Sequence, residues 1–354
     1  MKDKIITFLF LSFLFIMSIL HLIIPDNEIS IFERRKLASF PGFSLDSEYI
    51  NKMDKYLLDH FPFRDSFRSV KANYNYKILR KLDNNKIYLK DNYIFKSEYP
   101  TNIKSIDNFN NTINKIMGML SDNNNVYMMV IPDKNYYLSD NNFLNIDYDY
   151  IYNSVSELGL KMIDLRNVLE LNDYYETDTH WKQDRLNKVV KKMSGYMNFD
   201  YYDDMYKENK YDSFYGVYYG DSAISRDPEE LIYLTNDIID NCRVKYLEND
   251  KLIKIYNLDK LNGLDSYEVY LDGASSFIEI YNDKANNDLE LVIFRDSFGS
   301  SLAPLLIRYY SKVTLIDNRY INSDNFDKLI DFKNQDVLFL YSTLLINNSY
   351  SLKK

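Results

Sequence analysis

The chain of 354 residues carries 52 acidic against 43 basic side chains, for a net charge of -9 and a pI near 5.0, and this balance argues against nucleic acid, whose phosphates call for a basic face. A single cysteine, Cys242, excludes an internal disulfide, and the chain holds no paired His/Cys spacing for zinc, no Walker loop and no dinucleotide fingerprint. Nucleotide and metal mechanisms are therefore unsupported, and a site with no cofactor and no metal is the default.

Residues 5–24 form a mostly apolar run of about twenty residues, enough at about 1.5 Å each to cross a hydrocarbon core of roughly 30 Å. The run is longer than a signal-peptide core and has no small-x-small site near Pro25, which favours an uncleaved anchor over a cleaved signal. Lys2 and Lys4 before it favour an inner N-terminus and an extracellular main body, although Arg34, Arg35 and Lys36 follow on the other side. The remainder is long enough to bury a substantial core without disulfides.

After the anchor (1–25), residues 26–100 read as a helical and hairpin lead-in. Helices are expected at 44–58 and 67–79, separated by a break at Phe61-Pro62-Phe63-Arg64-Asp65. A hairpin follows at 87–95 about Asp91-Asn92. From residue 101 to 354 the pattern is α/β, a parallel sheet flanked by helices. Ile103, Ile106, Phe109, Ile113, Ile116, Met117 and Leu120 mark a helix, 126–131 a buried strand, and 151–158 with 161–165 a second such unit. It continues through a turn at Asp178 and His180 into a helix near 183–196. Residues from about 200 to 288 differ, being rich in Tyr, Asp and Asn with short strand-like runs at 231–234, 253–256 and 277–280, and read as an antiparallel insertion. The α/β pattern resumes with strands at 291–294, 313–316 and 337–341 and a helix near 324–332. Tyrosine is abundant at 34 residues and its rings can stack on sugars, but frequent Asn, Lys and Ile beside it point mainly to a general compositional bias.

The stretch at 291–300 carries the chemistry. Four apolar residues end at a polar turn holding Asp296, Ser297 and Gly299, and an apolar-periodic segment with Leu302, Leu305 and Leu306 follows, ended or bent by Pro304. A strand-turn-helix of this kind can expose a serine hydroxyl and aim backbone N–H groups at an oxyanion, as in the nucleophile elbow of hydrolases. Ser297 is the candidate nucleophile. Serine needs a base, and the chain has three histidines. His21 lies in the apolar run and His60 beside Phe61-Pro62, whereas His180 has Asp178 two residues before it, on the same side in an extended or turn conformation. An isolated Asp-Ser after a strand is usually a turn or an N-cap, and an isolated Asp-x-His usually surface decoration. Their combination in a chain so poor in histidine is what singles out Ser297, His180 and Asp178.

Several blocks in order give the chain a resemblance to the DHHW family, part of the SGNH-hydrolase-like group that includes the alginate O-acetyltransferases. They are Phe32-Glu33-Arg34-Arg35-Lys36-Leu37 with Pro41, Asp59-His60-Phe61-Pro62-Phe63-Arg64, Ile131-Pro132-Asp133-Lys134, Thr177-Asp178-Thr179-His180-Trp181, Asp296-Ser297-Phe298-Gly299, and Asp317-Asn318-Arg319-Tyr320. The resemblance implies an SGNH-hydrolase-like fold and a membrane-anchored, outward-facing enzyme that O-acetylates a cell-surface or secreted polysaccharide. It assigns a Ser-His-Asp triad to Ser297, His180 and Asp178. It also implies a multi-pass membrane acyltransferase partner that brings acetyl groups across the bilayer. Thr179 stands where the family name has its first histidine, and Arg295 where many relatives have glycine. Trp181, the sole tryptophan, either stacks on a sugar or wedges the histidine turn against the core. Arg319 and Tyr320 either contact substrate or serve a structural salt bridge, and Lys134 likewise either contacts substrate or is positional. An acetyl esterase and a non-catalytic glycan-binding or assembly protein are the competing readings.

Overall fold

The runs of apolar residues in the second half of the chain become the interior of one eight-stranded sheet. The computed structural model describes residues 2–138, 143–203, 205–247 and 249–353. Contacts divide the chain into two units, one made of residues up to Asn85 with Tyr219–Arg226, the other of Lys86–Tyr218 with Asp227–Lys354.

In the larger unit the sheet strands are β1 (Asn125–Ile131), β2 (Lys161–Met162), β3 (Arg243–Tyr246), β4 (Asn249–Ile253), β5 (Phe277–Tyr281), β6 (Glu290–Arg295), β7 (Lys312–Ile316) and β8 (Asp336–Ser342). Their order in space is β4-β3-β5-β7-β6-β8-β1-β2. The five strands from β7 to β2 run parallel. Helices cover both of their faces, which is why β6 and β8 read as unbroken apolar runs instead of alternating. Leu291, Ile293, Leu338 and Leu340 pack with Leu302 and Leu305 of Gly299–Leu306 and with Val189 of Asn187–Ser194. Val292, Phe294, Val337 and Phe339 face the other way, onto Ile106, Phe109 and Ile113 of Ile103–Met117 and Ile151 of Tyr148–Ser156. The first of these helices starts where expected and the second three residues earlier, at Tyr148, because Asn102 and Asp147 cap them through their side chains, accepting from Ser105 N–H (3.2 Å) and Tyr150 N–H (2.9 Å).

The antiparallel insertion is present but divided. Lys207–Phe214 and Glu229–Thr235 form a separate two-stranded ribbon, while β3, β4 and β5 join the main sheet antiparallel at the β7 edge. Alternation explains the difference: Val244, Tyr246, Ile278 and Ile280 all point into the core that lies behind Ser297's strand, so these strands extend that layer. Two helical expectations are altered. The segment near 324–332 keeps only a 3₁₀ stretch, Ser323–Lys328, because Asn322 and its neighbours favour turn chemistry; Asn322 bonds Asp324 N–H at 2.9 Å. The helix near 183–196 is split into a 3₁₀ turn, Gln183–Arg185, and Asn187–Ser194, since the buried Gln183 amide is spent on Ser301 O (2.8 Å) and Leu234 N–H (2.7 Å). The hairpin Ile87–Lys90 with Tyr93–Lys96 turns on Asp91 (φ 48°) and Asn92 (φ 67°), the paired left-handed conformation of a tight hairpin turn.

In the smaller unit, Lys2–Ile23 is a 22-residue helix with no buried side chain, long and apolar enough to cross a membrane. A short ribbon, Ile29–Ser30 with Arg35–Lys36, leads to helices Tyr49–Asp59 and Arg64–Asn73, the latter continued by a π-helical turn, Tyr74–Ile78. The first two sequence blocks meet here as an ion network. Arg35 donates to both oxygens of Asp59, at 2.9 and 2.5 Å, and Glu33 pairs with Arg64 (2.8 Å) and Arg68 (3.3 Å). The Arg35 guanidinium holds the Asp59 carboxyl at about 2.

Candidate active site

Ser297 stands just past the carboxyl end of β6, where open α/β sheets gather their reactive groups. From Leu291 to Ile307 it is the one residue not buried. Its placement begins with Asp296. One oxygen of that buried carboxylate accepts from Phe298 N–H (3.1 Å), and the other from Ser342 N–H (2.9 Å) and Ser342 Oγ (2.6 Å). The end of β6 is thereby tied to the end of β8. Gly299 N–H then donates to Asp296 O and Ser300 N–H to Ser297 O, both at 3.1 Å, so the turn runs smoothly into the helix.

The turn exposes the serine as expected, but it supplies fewer backbone N–H groups than the sequence suggested. Ser297 is not among the residues with positive φ, and the turn's own bonds use the N–H groups of residues 298, 299 and 300. Among the described residues, the Ser297 N–H is the amide of this turn that makes no such bond. Arg295, standing where glycine is frequent in the family, lies buried behind the turn, with Nη1 donating to Ser300 Oγ (3.1 Å) and Asp296 O (3.3 Å) and 3.8 Å from Asp317 Oδ2. Burial holds its pKa below the usual arginine range. Gly299 makes room for it: a Cβ there would lie 2.9 Å from Arg295 Cβ.

The histidine arrives from the segment after β2. His180 Nε2 is 2.7 Å from Ser297 Oγ, and His180 Nδ1 is 2.6 Å from Asp178 Oδ1. With the proton on Nδ1 donated to the carboxylate, Nε2 is left to accept from the hydroxyl. Asp178 Oδ1 also accepts from His180 N–H (3.0 Å), and Oδ2 from Val217 N–H (2.8 Å). The structure thus brings together the three residues singled out in the sequence, across more than a hundred positions.

Sequence reasoning missed what holds this loop. The fully buried Lys134 ammonium donates to the carbonyl oxygens of Tyr175 (3.1 Å), Glu176 (3.1 Å) and Asp178 (2.7 Å), with the rings of Tyr218 and Phe95 at 5.0 and 5.6 Å. Glu229, from the accessory ribbon, accepts from the N–H groups of Glu176 (2.8 Å) and Thr177 (2.7 Å) and from the Thr177 hydroxyl. Gly216 lies against the same peptide, where a Cβ would meet the Thr177 carbonyl carbon at 2.3 Å. The Tyr267 ring stacks on the imidazole, with centroids 3.9 Å apart and planes 8° from parallel, and Tyr267 Oη and Ser301 Oγ are hydrogen-bonded at 2.8 Å. Only Lys134 had a signal, its place beside Asp133 in a recognisable block.

Among the expected substrate contacts, Trp181 is corrected. It is fully buried, its Nε1 donates to Ser301 Oγ (2.9 Å) and Phe298 O (3.2 Å), and its ring meets Phe298 edge-on at 5.4 Å. The indole therefore wedges the histidine turn against the serine helix and has no face free for a sugar. Arg319 is engaged with buried Asp317 through Nε (2.9 Å) and Nη2 (2.6 Å), the structural alternative, while Tyr320 is half exposed beside it.

A scan against protein-family models finds no match, and a search of curated proteins finds none either. Among solved structures, a DHHW family protein from Eubacterium siraeum aligns at a TM-score of 0.62 with 20% identity, over 77% of this chain and 98% of its own. PatB1 of Bacillus cereus carrying a sulfonyl adduct aligns at 0.59 with 19% identity, over 76% of this chain and 100% of its own. PatB1 in a second structure gives 0.55, 19%, 74% and 97%. At about one residue in five identical, these alignments establish the architecture: the body of this chain has the SGNH-hydrolase-like fold seen in the DHHW protein and PatB1.

Proposed function

We propose that this chain is a membrane-anchored O-acetyltransferase that uses Ser297, His180 and Asp178 to acetylate a cell-surface or secreted polysaccharide. The observation that carries the reading is the unbroken relay from hydroxyl to imidazole to carboxylate, at 2.7 and 2.6 Å, with Ser297 as the accessible group of its turn. The fold it shares with the DHHW protein and the motif blocks support the same class. So does the sulfonyl adduct carried by PatB1, since sulfonylation is what an activated nucleophile undergoes.

In the first half-reaction His180 Nε2 takes the Ser297 proton while Oγ attacks the acetyl carbonyl carbon of an ester donor. Asp178 steadies the imidazolium. The Ser297 N–H supports the oxyanion, and collapse expels the donor alcohol with the proton from His180, leaving acetyl on Oγ. In the second, a sugar hydroxyl gives its proton to His180 and attacks that ester, freeing Ser297. The helix Lys2–Ile23 serves as the anchor with the body outside, the donor side being supplied by a multi-pass membrane acyltransferase. In this reading Tyr320 contacts the acceptor.

Purified chain incubated with an acetyl-ester donor and an oligosaccharide should yield acetylated sugar; free acetate alone would make it an esterase. Ser297→Ala should abolish both products while leaving the circular dichroism unchanged. Parental turnover in that variant would remove Ser297 from the mechanism.

A further inference from the structure

The smaller unit contains an apolar surface that its own fold leaves uncovered. Phe67, Val70, Tyr74 and Ile78 recur at spacings of three, four and four along Arg64–Asn73 and the π turn after it, with Phe63 in the left-handed cap position just before. This places the four helical residues in one stripe about 16 Å long, with Phe63 at its start. All five are between 44% and 67% exposed. Core-facing helices of soluble proteins bury such a stripe, and an uncovered one of this length marks a contact surface.

Three observations name what covers it. First, the stripe starts at the end of the membrane-length helix. His21, in the last turn of Lys2–Ile23, has its Nδ1 3.2 Å from the His60 carbonyl oxygen and its ring 5.8 Å from that of Tyr56. The turn at 60–63 therefore sits at the depth where the span leaves the hydrocarbon. Second, exposed aromatics collect at that level: Phe40 meets Tyr56 edge-on at 5.4 Å and Phe43 at 5.7 Å, and Phe61 meets Phe67 at 5.7 Å. Aromatic rings concentrate where a bilayer meets water. Third, charge divides between the units. Beyond the span, the smaller one carries twelve Lys and Arg against ten Asp and Glu, a net +2, whereas the larger unit is at -12. Exposed Lys71, Lys77, Arg80 and Lys81 flank the far half of the stripe, where anionic headgroups would meet them.

We propose that the helical pair at 49–78 is an interfacial collar, with the Phe63-to-Ile78 stripe embedded in the headgroup region of the outer leaflet and the flanking cations on anionic lipid. The collar rests on the reading of Lys2–Ile23 as a membrane span. It adds a second, lateral attachment to that span.

The test uses the full chain reconstituted in vesicles of mixed phosphatidylcholine and phosphatidylglycerol. Buried Cys242 is the sole native thiol, so Phe67→Cys, Val70→Cys and, as a control, exposed Tyr350→Cys each accept one polarity-sensitive fluorophore. Labels at 67 and 70 should emit to the blue of the control, be quenched by nitroxides at headgroup depth, and resist aqueous iodide at least about fivefold better. If the chain floats with the vesicles while both labels are as open to iodide as the control, the collar is refuted and the span stands. If the chain does not float, the span reading fails and the collar with it. Shielding that rises with protein density and accompanies dimers cross-linked through position 67 or 70 assigns the stripe to a second copy and overturns the lipid assignment.

Discussion

Replacing Lys134 by methionine removes the charge and keeps most of the volume, so it releases the three carbonyl contacts together with the ammonium's contacts to the Tyr218 and Phe95 rings. Glu176 O retains a donor in Ile94 N–H at 2.8 Å, and the loss falls mainly on the carbonyls of Tyr175 and Asp178. A buried acceptor deprived of its donor costs about 1–3 kcal/mol, and relief of the buried ammonium's desolvation offsets part of the total. A net cost of about 3 kcal/mol is expected, which for a body of this size lowers Tm by roughly 6–12 °C. Turnover should fall further than stability alone dictates, by about 10- to 100-fold, because Asp178 lies on the released peptide and the relay depends on sub-ångström placement. Calorimetry paired with initial rates on an activated acetyl ester reads both quantities. Unchanged Tm and unchanged turnover would refute the view that this ammonium holds the histidine loop.

Asp178→Asn keeps the shape of the relay and removes its charge, and by analogy with other serine triads should cost about ten-thousandfold in turnover with the melting curve unmoved; a near-parental rate would exclude Asp178 from the relay. Gly216→Ala forces a methyl to within 2.3 Å of the Thr177 carbonyl carbon, so the peptide must move, with about 2 kcal/mol lost in urea melts and a marked drop in turnover. Parental values for both would show that the ribbon yields freely. For pH, Arg35 beside Asp59 depresses that carboxyl to about 2 from an unfolded value near 4, so its stabilisation is complete above about pH 5 and is lost as pH falls through about 2. Asp59→Asn should therefore cost about 2 kcal/mol in urea melts near neutrality and progressively less toward about pH 2, and parallel stability curves across that range would contradict the linkage.

The fold was legible where burial is two-sided and local signals agree. Leu291 to Phe294 and Val337 to Tyr341 announced central parallel strands, and the apolar spacing from Ile103 to Leu120 announced the helix Ile103–Met117. Ser297 and His180 were legible because one follows a buried strand and the other had scarcely any rival in a chain with three histidines. The supports were not. Lys134, Glu229, Gly216 and Tyr267 reach the site through pairings that periodicity does not encode, and one tyrosine among 34 carries no mark of its position. Trp181 was ambiguous for a related reason: an indole suits a sugar face or a core, and which one it meets depended on where Phe298 and Ser301 would lie. The segment after β7 misled because Phe326 and its apolar neighbours suggested a helix while Asn322 favoured a tight turn.

The accessory ribbon has a consequence for anyone reshaping this scaffold. Surface appendages are ordinarily the first material to trim when a domain is minimised, yet here Glu229 and the 216–217 peptide bracket the His180 loop from outside the sheet. Excising the ribbon would spare Ser297, His180 and Asp178 and still unmoor the imidazole. Transplants of the serine and histidine blocks onto a pared-down relative should accordingly bring this splint with them.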